Sequence, residues 1–423
     1  MATTIITRRT IEVISPTRRI VYAVIFLLLA AIMLLVFTLD YDPATITTMS
    51  LTPTGVTRGA VADLTLPGFP VLITMNVLVA LAGLYQLIRG FGRKTNLMLG
   101  FALLLFILAF LVWTAGIKKI YLGSLLLSGI TLSVPVILGA FSGVLSERAG
   151  VVNIAIEGMM LMGAMTGALI GSLTGSAWWG LLAAMVAAML MALVHGWLSI
   201  KYRVDQIISG TVINIFATGM TSYISSKFMQ HYENLNGTPV FQRMPIPGLA
   251  DIPLIGPIFF NANLFVYIMF ALLIILQIAL FKTRWGLRMR SVGEHPKAAD
   301  TLGINVIRTR YMAVLLSGMV AGIGGAFFTV GSIGRFEEMM TAGKGFIGLA
   351  AMIFGNWTPI GAFGAGLLFG SFESLGPSLS LLGSKIPSEF IAMLPYIATM
   401  VILAGVVGRG QMPAADGTPY VKE

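Results

Sequence analysis

The 423-residue sequence has no cysteine and only three histidines, His195, His231 and His295. The first absence excludes disulfides, thiolate metal sites and cysteine nucleophiles. The second leaves no ligand-spaced cluster, so no metal-binding residue is nominated. Charge is scarce too: Asp, Glu, Lys and Arg make up 10% of the chain, against about 25% in soluble domains. Ala342-Gly343-Lys344 lacks the upstream glycine and the following Ser or Thr of a phosphate-binding loop, so ATP hydrolysis by this chain is not expected. Gly-x-Ser-x-Gly is absent, and Ser142 and Ser146 have no recognisable base partner. No catalytic residue is nominated, and a membrane-embedded enzyme is the weaker reading.

What fills the chain is hydrophobic: 57% of its residues, with a mean hydropathy of +0.90. Such a composition predicts an all-α, polytopic membrane helix bundle. Its 48 glycines and 25 methionines suit close helix contacts and adaptable apolar filling. Runs of about 20 apolar residues, long enough for ~30 Å of hydrocarbon, fall near 20–39, 69–88, 97–116, 121–145, 149–173, 178–200, 207–228, 262–281, 312–333 and 390–408. With a short apolar piece, a polar break at 355–359 and a Gly-rich helix, this makes about 11–12 segments including broken or re-entrant ones. Crossing or re-entrance of the short piece decides the side of the C-terminus.

Arg8, Arg9, Arg18 and Arg19 against Glu12 put the N-terminus in the cytoplasm. No small-residue cleavage site follows the first run, which favours an uncleaved span over a signal peptide. Residues 40–68 are expected to form an external loop without strong structure, and 229–261 a second external segment. Lys118 and Lys119 fall outside, against the positive-inside trend. The pI of about 9.9 reflects basic residues in short loops, which orient the chain and do not point to nucleic acid.

Two stretches interrupt the apolar pattern in a similar way. Around 147–157 the chain places Glu147, Arg148, Asn153 and Glu157 within eleven residues, although a charge at mid-bilayer costs about 2.5–3.5 kcal/mol on insertion scales. Regions 138–173 and 347–376 share a plan: apolar run, polar break containing an Asn, then a Gly-rich helix. Interrupted segments in corresponding places point to a transport site, because unwound backbone at membrane depth survives where it lines a cavity or is buried in protein. Asn153, Glu157, Thr211, Asn214, Asn356 and Trp357 are the candidate pathway residues. Asn153 and Glu157 share a helical face if that segment is helical. Amides suit hydroxyls or base edges and the indole can stack a base; each of the six can equally serve as interhelical glue. Gly163, Gly167 and Gly171, with Gly318 and Gly322, form small-residue stripes for helix packing.

The most polar segment is 281–311. Seven basic side chains, Lys282, Arg284, Arg288, Arg290, Lys297, Arg308 and Arg310, face two acidic ones, Glu294 and Asp300, an excess equal to half the chain's net charge of +10. The excess places it in the cytoplasm. Pro296 suits the first turn of a short helix, Ala298 and Ala299 keep it slim, and Gly303 can end it in a left-handed cap. Trp285, Gly286, Arg288, Arg290, Gly293, Pro296, Ala298, Ala299, Gly303 and Ile304 resemble, place for place, the coupling segment of ABC importer permeases of the nucleoside/simple-sugar (branched-chain amino acid/ribose-type permease) family. The stretch 145–164, LSERAGVVNIAIEGMMLMGA, is similar to that family's other motif.

The resemblance covers about 121–408. It implies a permease core with coupling segment 282–310, preceded by an N-terminal extension over 1–120 and followed by a polar tail over 409–423. It also implies coupling to the ATPase through Arg288, Arg290, Gly293, Glu294, Pro296, Ala298, Ala299 and Gly303. The expected partners are a cytoplasmic ABC ATPase that binds ATP and magnesium, a second permease subunit, an extracytoplasmic substrate-binding lipoprotein and the lipid bilayer. This chain itself holds no cofactor. Nucleosides or related ribose-containing solutes are the expected cargo, in a bacterial or archaeal cytoplasmic membrane. Simple sugars, flavin-like vitamins, or a stand-alone secondary transporter driven by an ion gradient are the alternatives.

Overall fold

The computed structural model describes residues 16–382, Phe390, Met393 and 411–422. The expected last span at 390–408 and Arg8, Arg9 and Glu12 lie outside the described residues. Among the described residues, nine helices are long and apolar enough to cross a membrane: α1 (Pro16–Thr38), α2 (Gly68–Ile88), α3 (Thr95–Ala115), α4 (Leu122–Glu147), α5 (Ile156–Thr174), α6 (Ala177–Lys201), α7 (Gln206–Met229), α9 (Leu264–Lys282) and α12 (Val306–Ile333). The shorter helices are α8 (Ile255–Phe259), α10 (Arg284–Glu294), α11 (Pro296–Thr301) and α13 (Lys344–Phe354), and the 24-residue α14 (Pro359–Leu382) follows. The protein is therefore an all-α polytopic membrane bundle.

The chain forms two compact units, one of residues 1–51, 62–122 and 377–387, the other of 52–61, 123–376 and 388–423. In the first, α1–α3 pack through Phe26, Phe37, Leu72 and Ala109, and Phe37 stacks on Trp113 at 5.2 Å between centroids. The loop expected to lack structure carries an antiparallel pair, β1 (Ile46–Met49) with β2 (Leu64–Pro67). Its β-branched Ile46, Thr47 and Thr48 favour extended backbone, a signal hidden among the surrounding Pro and Asp. Lys119, awkward for the charge rule, pairs with Asp63 at 2.6 Å.

In the second unit α4, α5 and α12 form the core, with 67%, 61% and 78% of their most apolar stretches buried, whereas α7 and α9 bury 33% and 28% and turn apolar faces outward as lipid-facing helices do. The glycine stripes explain the close packing. A Cβ on Gly322 would lie 2.5 Å from the Ala184 carbonyl oxygen, one on Gly318 would lie 2.8 Å from that of Ala188, and one on Gly163 would lie 3.1 Å from the Gly322 Cα. Gly167 abuts Thr329 and Ala184, while Gly171 meets Thr238. In the segment after α7, β3 (Arg243–Pro245) pairs with β4 (Asn261–Asn263).

The segment after α12 resolves the choice between crossing and re-entrance. Gly334 O accepts from Thr238 N near the C-terminal end of α5, Phe336 packs among Leu161 and Met165 in its middle, and Thr341 reaches Glu157 at its start. From there α13 runs past Gly139 and ends beside Arg148. Residues 334–354 thus cover the depth of the bundle, half as irregular chain and half as helix. Next, α14 returns along α4, with Gly366 and Gly370 pressed against Ile137 and Ser133.

Candidate functional site

The first break, residues 148–155, is a stretch of non-helical backbone whose polar groups are met by buried side chains. Gln206 Oε1 accepts from Val152 N at 2.7 Å, and Ser146 Oγ donates to Val151 O at 2.6 Å. His195 Nε2 lies 2.9 Å from Val152 O and Nδ1 lies 3.1 Å from Ser209 Oγ, so the carbonyl assigns the proton to Nε2. Asn153 is wholly buried: its Oδ1 accepts from Ala155 N and its Nδ2 donates to Ser317 Oγ at 2.9 Å, which in turn pairs with Ser142. Unpaired, each such group would cost about 1–3 kcal/mol.

Glu157 opens α5. Because α5 starts at Ile156, Asn153 lies before the helix and the two residues do not share a helical face. The carboxylate accepts from Thr341 Oγ1 at 2.6 Å, Gly343 N at 2.9 Å and Gly345 N at 2.7 Å. It therefore sits at the N-termini of both α5 and α13, where two helix dipoles and three donors offset the cost of a half-buried charge. Asn214 of α7 clamps the same turn, accepting from Gly158 N at 2.8 Å and donating to Ile154 O at 2.9 Å. Thr211 is exposed and donates to Ile207 O of its own helix.

The second break, Gly355–Thr358, is a tight turn in which Asn356 and Trp357 both hold positive φ, 54° and 52°. Left-handed non-glycine residues cost about 1–3 kcal/mol each. Arg148 holds them in place, donating through Nε to Trp357 O at 2.7 Å and through Nη2 to Asn356 O at 3.2 Å. The indole Nε1 donates to the buried Glu147 at 2.6 Å. The two breaks are therefore interlocked: adjacent residues of the first, Glu147 and Arg148, bind adjacent residues of the second. Burial lowers the Arg148 pKa, and the nearby Glu294 carboxylate opposes that shift.

The basic segment 282–310 is two helices where one was expected. In α10, Met289, Val292 and Gly293 turn inward and Arg288 is exposed. The guanidinium of Arg290 lies 4.9 Å from the centroid of the Phe281 ring, over which Arg148 also lies. Gly293 presses against Arg148 O, leaving no room for a Cβ. In α11 Pro296 takes the first turn, His295 Nδ1 caps Ala298 N, and Gly303 closes the end at φ 79°, a conformation other residues rarely hold. Ala298 and Ala299 face opposite ways: Ala299 is buried among Val292 and Val306, while Ala298 and Thr301 are exposed. Leu302, at the tip, is 81% exposed in a polar segment. Local pattern had not marked it, since a single leucine in a charged stretch has no period.

The branched-chain amino acid transport system / permease component family matches residues 125–407. The chain belongs to this family. The permease is 44% identical over 297 residues to the guanosine ABC transporter permease protein NupQ of Bacillus subtilis, covering 68% of this chain and 93% of the relative. It is 41% identical over 304 residues to the nucleoside ABC transporter permease protein NupC of Lactococcus lactis subsp. cremoris, covering 69% and 94%. A putative glucose ABC transporter permease protein of Haloferax volcanii, TsgC13, is 30% identical over 293 residues, covering 64% and 88%. No solved structure matches the chain. The permease translocates and does not catalyse; ATP hydrolysis belongs to a separate ATPase.

Proposed function

We propose that this permease imports nucleosides across a bacterial or archaeal cytoplasmic membrane. In this reading it is one of two permease subunits, driven by a cytoplasmic ABC ATPase that binds ATP and magnesium, and supplied by an extracytoplasmic binding lipoprotein. The observation that carries the reading is α11. It is a short, capped helix in a basic segment, presenting Ala298, Thr301 and an uncovered Leu302. An apolar tip on a slim helix suits a groove in a moving partner, and the nearby arginines suit an acidic rim.

The N-terminus is assigned to the cytoplasm by Arg18 and Arg19 together with Arg8 and Arg9. Residues 1–120 are an extension upon a core at 121–408, in keeping with a family match that begins at 125. For the route, Asn153, Glu157, Asn214, Asn356 and Trp357 are the groups engaged at the two breaks, and Thr211 is exposed on α7, three residues before Asn214. They supply the donors and acceptors that a hydroxyl-rich solute meets when α5 and α13 part.

Uptake of labelled guanosine by proteoliposomes carrying the assembled complex, competed with ribose, glucose and riboflavin, tests the substrate class. Guanosine uptake suppressed by other nucleosides alone is expected. Suppression by glucose instead would favour the sugar reading raised by the Haloferax relative. For coupling, Ala298→Arg should remove substrate-stimulated ATP hydrolysis with membrane insertion unchanged; wild-type stimulation would end the coupling assignment.

A further inference from the structure

Residues 411–422 lie beyond the part that matches the family, which ends at 407, and the import reading gives them no task. They nevertheless hold partners at both breaks, in α10 and α12, and in the cluster behind α11. Gln411 N donates to Asn356 Oδ1 of the second break at 2.6 Å. Ala414 N and Ala415 N donate to Glu294 Oε2 at 3.2 Å and to Gly293 O at 2.9 Å, at the end of α10. Gly417, at φ 73°, lies against Val152 of the first break, where a Cβ would sit 3.4 Å from its methyl. The Thr418 carbonyl accepts from Arg310 Nη1 at the foot of α12, 2.8 Å away. Tyr420 packs on the cluster of Val292, Ala299 and Val306 that backs α11.

The side chains along this path are buried where they face the bundle. Ala415 is 8% and Asp416 9% exposed, and Arg310, which bonds to Thr418, is 1% exposed. Asp416 enters the space beside Glu147 and Arg310; burial raises its pKa and the Glu147 carboxyl raises it further, while Arg310 acts the other way. Two turns, Asp416 N to Pro413 O and Thr418 N to Ala415 O, stiffen the segment from within.

We propose that residues 411–422 are a coupling strap: the tail ties the back of α10 and α11 to both membrane breaks, so that displacement of the coupling helix reaches them as one movement. The proposal rests on the reading of α11 as the contact with the ATPase. The geometry suits it because a short helix pushed from its exposed side passes the push on only through what backs it. Here the backing includes Tyr420, and six residues earlier Ala414 and Ala415 are bound to α10. Three residues before those, Gln411 reaches Asn356, a position already held in a left-handed conformation and so sensitive to a pull. Arg310 and Val152 hold the middle of the strap against α12 and the first break.

The test uses the complete complex with its ATPase, second permease and receptor in liposomes, with guanosine as the probe. Three variants are compared with the wild type: deletion of 411–423, Ala415→Pro, which removes the N–H bound to Gly293 O, and Ala298→Arg. The two tail variants should assemble and hydrolyse ATP yet move at least fivefold less guanosine per ATP, whereas Ala298→Arg should lose stimulated hydrolysis. Wild-type transport per ATP in both tail variants, beside a defective Ala298→Arg, overturns the strap and leaves the coupling helix standing. Wild-type behaviour of Ala298→Arg overturns both.

If the tail variants fail to assemble, thiol labelling decides, since the chain has no cysteine of its own. Ala415→Cys should react with a maleimide at least tenfold more slowly than the exposed Ala414→Cys. Equal rates would mean an undocked tail and end the proposal.

Discussion

The two breaks differ in how they keep unwound backbone inside a bundle. The first is eight residues long and many-handed: Ser146, Asn153, His195, Gln206 and Asn214, from three helices and the break itself, each bind part of its main chain. The second is four residues long and relies on its own turn, with Trp357 N bound to Met352 O and Thr358 N to Gly355 O, plus a single outside side chain, Arg148. A main chain held by many side chains degrades by steps, while one whose carbonyls depend on a single cation is more sensitive to its loss. Arg148 of the first break thus supplies the side-chain donors to the second break's main chain, while the Trp357 indole donates back to Glu147 and Gln411 N to the Asn356 side chain.

The largest expected effect follows from that asymmetry. Arg148→Ala leaves two carbonyls and two left-handed residues without their holder and should cost about 1–3 kcal/mol for each carbonyl left unpaired. Thermal unfolding in detergent should fall markedly and guanosine uptake should disappear. A variant that is as stable and active as the wild type would mean that the second break holds itself. Glu157→Gln comes next. Gln keeps one acceptor oxygen where the carboxylate presents two oxygens that accept from three donors, so about 1–3 kcal/mol is expected, read as a lower midpoint and a severalfold loss of uptake.

Asn214→Ala removes one of several hands from the first break and should cost about 1 kcal/mol, with uptake reduced less than twofold. A loss as large as that of Arg148→Ala would abolish the contrast between the breaks. Thr211→Ala should leave the thermal midpoint unchanged, because its hydroxyl serves only its own helix. Any change in uptake by that variant would then report contact with the solute.

Much of the scaffold was legible because its causes are local. Long apolar runs become α1 to α7, α9 and α12, and Pro296 and Gly303 bracket α11 because one lacks an N–H and the other accepts positive φ. The position of the first break was legible from four polar residues in a span, since charge at that depth demands a partner. The identity of the partners was not. Asn153 and Glu157 look like neighbours on a helix, yet one reaches Ser317 and the other reaches 341–345, because the helix begins between them. Contacts across more than 150 residues leave no periodic trace. Nor does the polar tail, whose backbone donors, not its side chains, make most of its contacts. Arg148 was visible as an oddity at the join, but its two acceptors are carbonyls, which any sequence supplies.

Glu157 has one further consequence. It is shared by the starts of two helices, so drawing α5 and α13 apart strips a carboxylate of the amides of Gly343 and Gly345 and the hydroxyl of Thr341 together. A gap opened there cannot remain dry, because the bared charge and the freed donors all demand hydration. Water must enter with the first ångströms of separation, and a solute passing this point would travel in a wetted cleft instead of shedding its hydration shell against hydrocarbon.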